Sequence, residues 1–176
     1  MARTSQRGCA QRDASSGPSG SRYSCRDRAF GAIQSVAPSF GVELTPVNVR
    51  DPGEIERAIS AFARSSTGGL IVTGAPLALV HRDLIVTLAA RHKLCAIYNL
   101  RSYVIAGGLI SYGTDIYDLY QRAASYIDRV LKGEKPSDLP VQAPTKFETV
   151  INMKTAKALG ITMPASLLTR ADEVIE

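Results

Sequence analysis

"GGLIVTGAPLALVHRDLIVTLAARHKLCAIYN", Gly68 to Asn99, sets the organisation of the chain. "LIVTG" is a short all-apolar run closed by Gly74, the pattern of a strand covered on both faces. "VHRDLIVTLAARHKL" then puts Leu84, Ile85, Leu88 and Ala89 on one face of a helix. "CAIYN" follows as a second short buried strand. Strand, helix and strand in succession predict a parallel sheet with crossover helices.

Downstream, "GGLISYG" is a further strand, and Thr114 or Asp115 caps a helix that runs to Lys132 and stops at Gly133. Ile116, Leu119, Tyr120, Ala123, Ile127, Val130 and Leu131 form its apolar stripe. "FETVI" is a strand, residues 152–159 a short helix ended by Gly160, and "MPASLLTRADEVIE" a final helical turn or two. Upstream, "DPGEIERAISAFARS" starts a helix at Pro52, with Asp51 as its N-cap and Glu54 as the returning carboxylate. Ile55, Ala58, Ile59 and Phe62 face inward. "VELTPVNV" before it reads as a strand near a sheet edge or a strand end, and "AFGAIQSVAPSFG" as the end of a helix stopped by Pro38 and Gly41.

At 176 residues the length suits one core. No apolar run approaches the roughly 20 residues that span a bilayer. The net charge of +5 belongs to the N-terminal tail: residues 1–28 hold six arginines against Asp13 and Asp27, and the remainder is close to neutral. The tail has no helical period, no interleaved aromatics and no metal-ligand spacing, so a disordered segment is expected and not a nucleic-acid arm. Cys9, Cys25 and Cys95 make an odd count without a C-x-x-C pair, which points to neither a disulfide framework nor zinc. Cys95 is expected as a small buried hydrophobe.

Catalytic constellations are not indicated. His81 and His92 fall on one predicted helix, about 16 Å apart by helical rise, too far to share a metal. The two "GGL" triplets precede their strands, whereas a phosphate loop places its glycines after the strand. Ser35, Ser111 and Ser125 lack a G-x-S-x-G context. The expectation is a non-enzyme with no cofactor and no metal. In open parallel sheets, ligands bind where the carboxyl ends of strands turn into helices, here "TGAPL" (Thr73 to Leu77), "YNLRSY" (Tyr98 to Tyr103) and "SYGTDIY" (Ser111 to Tyr117). Their tyrosines, hydroxyls, asparagine and carboxylate match the usual makeup of a small-molecule pocket. Asp115 reads equally as an N-cap or a ligand group.

The Gly68–Asn99 stretch and "GGLISYGTDIYDLYQRAASYIDRVLKGEKPSDLPVQAPTKFETVINMKTAKALG" together resemble the C-terminal part of the substrate-binding proteins of ABC transporters. The likeness is to the group of the type I periplasmic fold related to tryptophan and tyrosine binders. It implies an α/β fold with a Rossmann-like, flavodoxin-like parallel sheet and flanking helices, the second lobe plus crossing segments of such a protein. Residues 29–110 would form the second lobe, 111–141 the crossing strand and a helix of the first lobe, and 142–176 the return. Carried onto this sequence, Thr73, Gly74, Ala75, Tyr98 and Asn99 would face an interlobe cleft from the second lobe. Ser111, Tyr112, Thr114 and Asp115 would line it from the returning strand.

The implied function is capture of a small solute, an aromatic amino acid or small carboxylate, for an importer's membrane subunits. The implied location is periplasmic, although the chain as written carries no export signal and would on that reading stay cytoplasmic. The tail stands where the family has its first lobe and the opening strand of its second, so a truncated chain is expected. It would have an exposed stripe on residues 116–131, bare sheet edges beside residues 43–49 and 69–73, and a tendency to self-associate. Two other readings use the same fold: the effector-binding half of a transcription regulator, for which no helix-turn-helix is visible, and a non-functional fragment.

Overall fold

The computed structural model describes residues 25–65 and 68–176, so the tail expectation falls, up to residue 24, outside the described residues. Helical backbone begins at Cys25, inside the span expected to be tail. Where length alone suggested one core, the described residues divide into two units, 25–65 with 68 and 73–81, and 69–72 with 82–176.

In the first unit, helix α1 (Cys25–Val36) passes into a 3-10 turn (Ala37–Phe40) and ends at Gly41, whose φ of 62° needs a residue without Cβ strain. Residues 42–49, expected as a strand, carry no regular structure. A strand exists only through a ladder, none of the described strands pairs with this segment, and Pro46 has no N–H to offer. Helix α2 (Pro52–Ser65) forms as expected. The Asp51 carboxylate accepts hydrogen bonds from the Gly53 and Glu54 amides at 3.1 and 3.2 Å, and Ile55 and Ile59 are buried. Helix α3 (Pro76–Val80) closes on His81, whose N–H donates to the Leu77 carbonyl at 3.1 Å.

The second unit is a five-stranded sheet in the order β1 (Gly69–Val72), β2 (Cys95–Tyr98), β3 (Ile110–Thr114), β4 (Phe147–Asn152), β5 (Glu173–Ile175). All neighbouring pairs are parallel except β3 with β4. Helices α4 (Arg82–Arg91), α5 (Arg101–Ile105) and α7 (Met153–Leu159) accompany one face, together with α6 (Ile116–Leu131) and α8 (Ala165–Leu168) elsewhere on the chain. Ile85, Val86, Leu88 and Ala89 of α4, Ala96 and Tyr98 of β2, Val104 of α5 and Val150 of β4 make the core. Asn152 caps α7 by accepting from the Thr155 amide at 3.0 Å and donates to the Val104 carbonyl at 3.3 Å, tying β4, α5 and α7 together.

Several expectations change. β1 and β2 are covered on one face only: Ala96 and Tyr98 point into the core, while Ile71, 54% exposed, and Ile97, 37% exposed, point out. Cys95 shares that outward parity and is exposed, not buried, because alternate strand residues face opposite sides. The helix expected to carry both histidines is interrupted at His81, and His92 lies just beyond the end of α4. "YNLRSY" is not all loop but enters α5 at Arg101. The C-terminus contains strand β5 after its helical turn: three residues show no period, and the parallel pairing to Val150–Asn152 makes them a strand.

The close approach of β2 and β3 gives a stability test. A Cβ at Gly113 would run into the Asn99 carbonyl oxygen, whereas one at Gly31 in α1 would meet nothing within 4 Å. Gly113→Ala is expected to lower the unfolding free energy by about 1–3 kcal/mol, and Gly31→Ala to leave it unchanged or raise it, as read from urea midpoints.

Candidate functional site

The sequence-selected residues reach the structure in three groups. Thr73, Gly74 and Ala75 belong to the first unit. There the Ala75 amide donates to the Thr73 carbonyl at 2.8 Å, and Ala75, in extended conformation, opens α3 ahead of Pro76. The other six belong to the second unit and are described on their own frame.

Tyr98 leaves the group of candidate ligand side chains. It is 2% exposed, its ring stacks on Tyr103 with centroids 4.8 Å apart, and burial pushes its phenol up to about 12. Its neighbour Asn99 stays half-buried, its carbonyl laid over the bare Cα of Gly113. Ser111 is 1% exposed and its hydroxyl has no hydrogen-bond partner, as is also true of Ser102 in α5. Tyr98 and Ser111 sit side by side in register on the core face of the sheet.

Tyr112 and Thr114 take the opposite parity. Tyr112 is 57% exposed and stacks on Phe147 with centroids 5.8 Å apart and planes 16° from parallel. In the antiparallel register Tyr112 faces Thr149 and Thr114 faces Phe147, so rings and threonines occupy the two diagonals of one small square. Phe147 was not singled out from sequence. Its only signal was the start of "FETVI", and partnership with Tyr112 requires knowing the register.

Asp115 is occupied. It is the N-cap of α6, accepting from the Tyr117 amide at 2.9 Å and the Asp118 amide at 3.2 Å. Its second oxygen meets the Lys146 ammonium at 2.7 Å, and its own amide donates to the Lys146 carbonyl at 3.1 Å. The Lys146 hydrogen bond first, then the Asp118 amide, hold the carboxyl below the ordinary aspartate range, and Lys146 is shifted upward by the same contact. A second charged group lies nearby in the sheet: Arg101 reaches Glu173 at 2.6 Å and Glu148 at 3.5 Å. Burial raises the Glu148 carboxyl, with Arg101 pulling it back.

Asn99, Tyr112, Thr114, Phe147, Thr149 and the Asp115–Lys146 pair therefore define the carboxyl end of β2 and β3 in this unit. They offer two ring faces, two threonine hydroxyls and an amide, with the neighbouring charges already paired. Such a surface suits non-covalent recognition of a small molecule. Among the described residues no three of His, Cys, Asp and Glu gather closely enough to hold a metal ion.

A family model described as ABC transporter substrate binding protein matches residues 24–175, and the chain belongs to that family. A conserved domain protein from Vibrio cholerae is similar in structure at a TM-score of 0.76 with 25% identity, over 84% of this chain and 49% of that one. An ABC domain in complex with L-Trp from Streptococcus pneumoniae is similar at a TM-score of 0.73 with 27% identity, over 85% of this chain and 52% of that one. The ligand-free, open structure of a substrate binding protein with adhesive properties from Clostridium difficile shares the fold at a TM-score of 0.61 with 20% identity, over 88% of this chain and 52% of that one. The chain thus spans about half the length of these structures. No curated protein matches it.

The charge pair makes a pH prediction. Asp115, lowered in the folded state, contributes stability above its unfolded pKa and loses it as pH falls through the folded one. Lys146, raised, contributes below its unfolded pKa and loses it as pH rises through the folded one. The pair should therefore stabilise across the neutral range and fail at both extremes. Asp115→Asn, which keeps an oxygen for the α6 cap but not the ion pair, should flatten the acid limb of stability against pH, measured by urea midpoints. Carboxyl NMR titration of the unmodified chain should place Asp115 below the ordinary aspartate range.

Proposed function

We propose that this chain supplies the solute-contacting surface of an ABC-type importer's binding protein. It captures a small solute, an aromatic amino acid or a small carboxylate, by contact alone and without catalysis. The observation that carries the reading is the paired, exposed Tyr112 and Phe147 at the carboxyl end of β3, the location at which parallel sheets bind ligands. Family membership supports the binding role, and the L-Trp complex of the Streptococcus pneumoniae neighbour supports an aromatic solute. Asn99, Thr114 and backbone groups of the Ser111–Asp115 segment would give polar contacts. Asp115 would act by shaping the turn, since its oxygens are engaged by the α6 amides and Lys146. Thr73, Gly74 and Ala75 are retained as candidate contacts through their loop, and membrane subunits of an importer are the partner proposed.

Ligand-dependent thermal stability tests the reading across the common amino acids and small carboxylates. A binder present at a hundred times its dissociation constant stabilises by about 2.7 kcal/mol, so a saturating shift of the melting midpoint is expected for at least one aromatic amino acid. A flat response across the whole panel, confirmed by calorimetry, would overturn the assignment.

A further inference from the structure

The outward face of the sheet has one corner unlike the rest. The Tyr112 and Phe147 rings lie nearly parallel there, 16° apart with centroids at 5.8 Å, an offset stack that leaves ring surface open on both. Phe147 is 47% and Tyr112 57% exposed. The backbone beneath is held by five consecutive register pairs, from Ile110↔Ile151 to Thr114↔Phe147, so the rings stand on fixed positions and not on a free loop. Their in-register neighbours on the same face are Thr114 and Thr149, both uncharged. The adjacent Asp115 and Lys146 close on each other at 2.7 Å and leave little net charge to attract a phosphate or polyanion. A flat apolar platform edged by hydroxyls fits a neutral planar ring system.

From this we infer that Tyr112 and Phe147 together are the platform for the flat part of the solute, and that Phe147 sets the preference for aromatic over aliphatic solutes. The inference rests on the solute-binding reading above and adds to it the role of Phe147 in choosing between aromatic and aliphatic solutes. Strand pairing explains how Phe147 acquires the role: β4 runs antiparallel to β3, so its first residue arrives at the ligand end where β3 finishes. Burial of ring faces by an aromatic solute would remove from water the apolar surface that this corner exposes.

The chain contains no tryptophan, so the emission of added L-tryptophan reports its own surroundings without a protein background. With the unmodified chain, a blue shift and raised anisotropy of L-tryptophan are expected. Phe147→Leu, which retains an apolar strand residue, should weaken L-tryptophan by about 2- to 10-fold and narrow its preference over L-leucine, measured by calorimetry, by the same factor. Phe147→Tyr should restore the L-tryptophan affinity. Equal weakening of both solutes, or none for L-tryptophan, would overturn the platform. Binding of L-leucine without L-tryptophan would overturn it while leaving the solute-binding reading intact, and absence of binding by either would remove both. If light scattering instead finds a dimer that Phe147→Leu dissociates, with no effect on solute, the ring pair belongs to an interface with a second copy and the platform is wrong.

Discussion

The antiparallel ladder between β3 and β4 is the constraint from which the rest of the second unit follows. Five register pairs fix it, and the Asp115 amide extends it by one further bond to the Lys146 carbonyl at 3.1 Å. Side chains alternate along a strand, so a slip of one residue would exchange the two faces throughout. In the observed register Ser111 and Val150 enter the core, while Tyr112 and Phe147 leave it. The same pairing brings Lys146 to the N-cap of α6 and sets Glu148 beside Arg101. Without the reversal at β4, none of these side chains, distant in sequence, would meet.

Electrostatically, the strand ends are balanced locally. Asp115 answers Lys146, Arg101 answers Glu173 and Glu148, and on α6 Arg122 meets Asp118 at 2.8 Å. Exposed pairs of this kind contribute modestly to stability, but they remove net charge from the candidate site. Recognition there rests on rings, hydroxyls and backbone groups. The chain's formal +5 therefore says little about its ligand, since most of it comes from the first 28 residues.

Apolar surface is distributed unevenly over the chain. The core face of the sheet is closed by α4, α5 and α7, whereas α6 has no buried residue despite a continuous apolar stripe: Ile127 is 60% and Leu131 82% exposed. Ile71 and Ile97 are likewise open on the outer face, although Ile151 in the same row is fully buried. Open apolar stripes on well-patterned elements are the surfaces by which such elements pack against other structure. The likeness to solved structures covers about half of each of them, 49% of the Vibrio cholerae chain and 52% of the Streptococcus pneumoniae chain.

Local chemistry was legible in the sequence wherever it depends on neighbours along the chain. Asp51 before Pro52, Asp115 before Ile116, and the glycines at 41 and 160 mark helix boundaries because capping bonds and left-handed turns involve residues two or three apart. The succession of strand and helix established a mostly parallel α/β sheet for the same reason. What only the tertiary structure decided were the matters that depend on partners distant in sequence. Residues 42–49 hold a strand's alternation but have no ladder, and residues 173–175 hold none but gain one from β4. Tyr98 and Tyr112 look alike in sequence, yet one is sealed against Tyr103 and the other lies open against Phe147. Cys95 is exposed in an apolar run because strand parity, and not composition, selects the buried face. Sequence carries the preferences of each segment; register, set by which strands hydrogen-bond and in which direction, determines which side chains those preferences bring together.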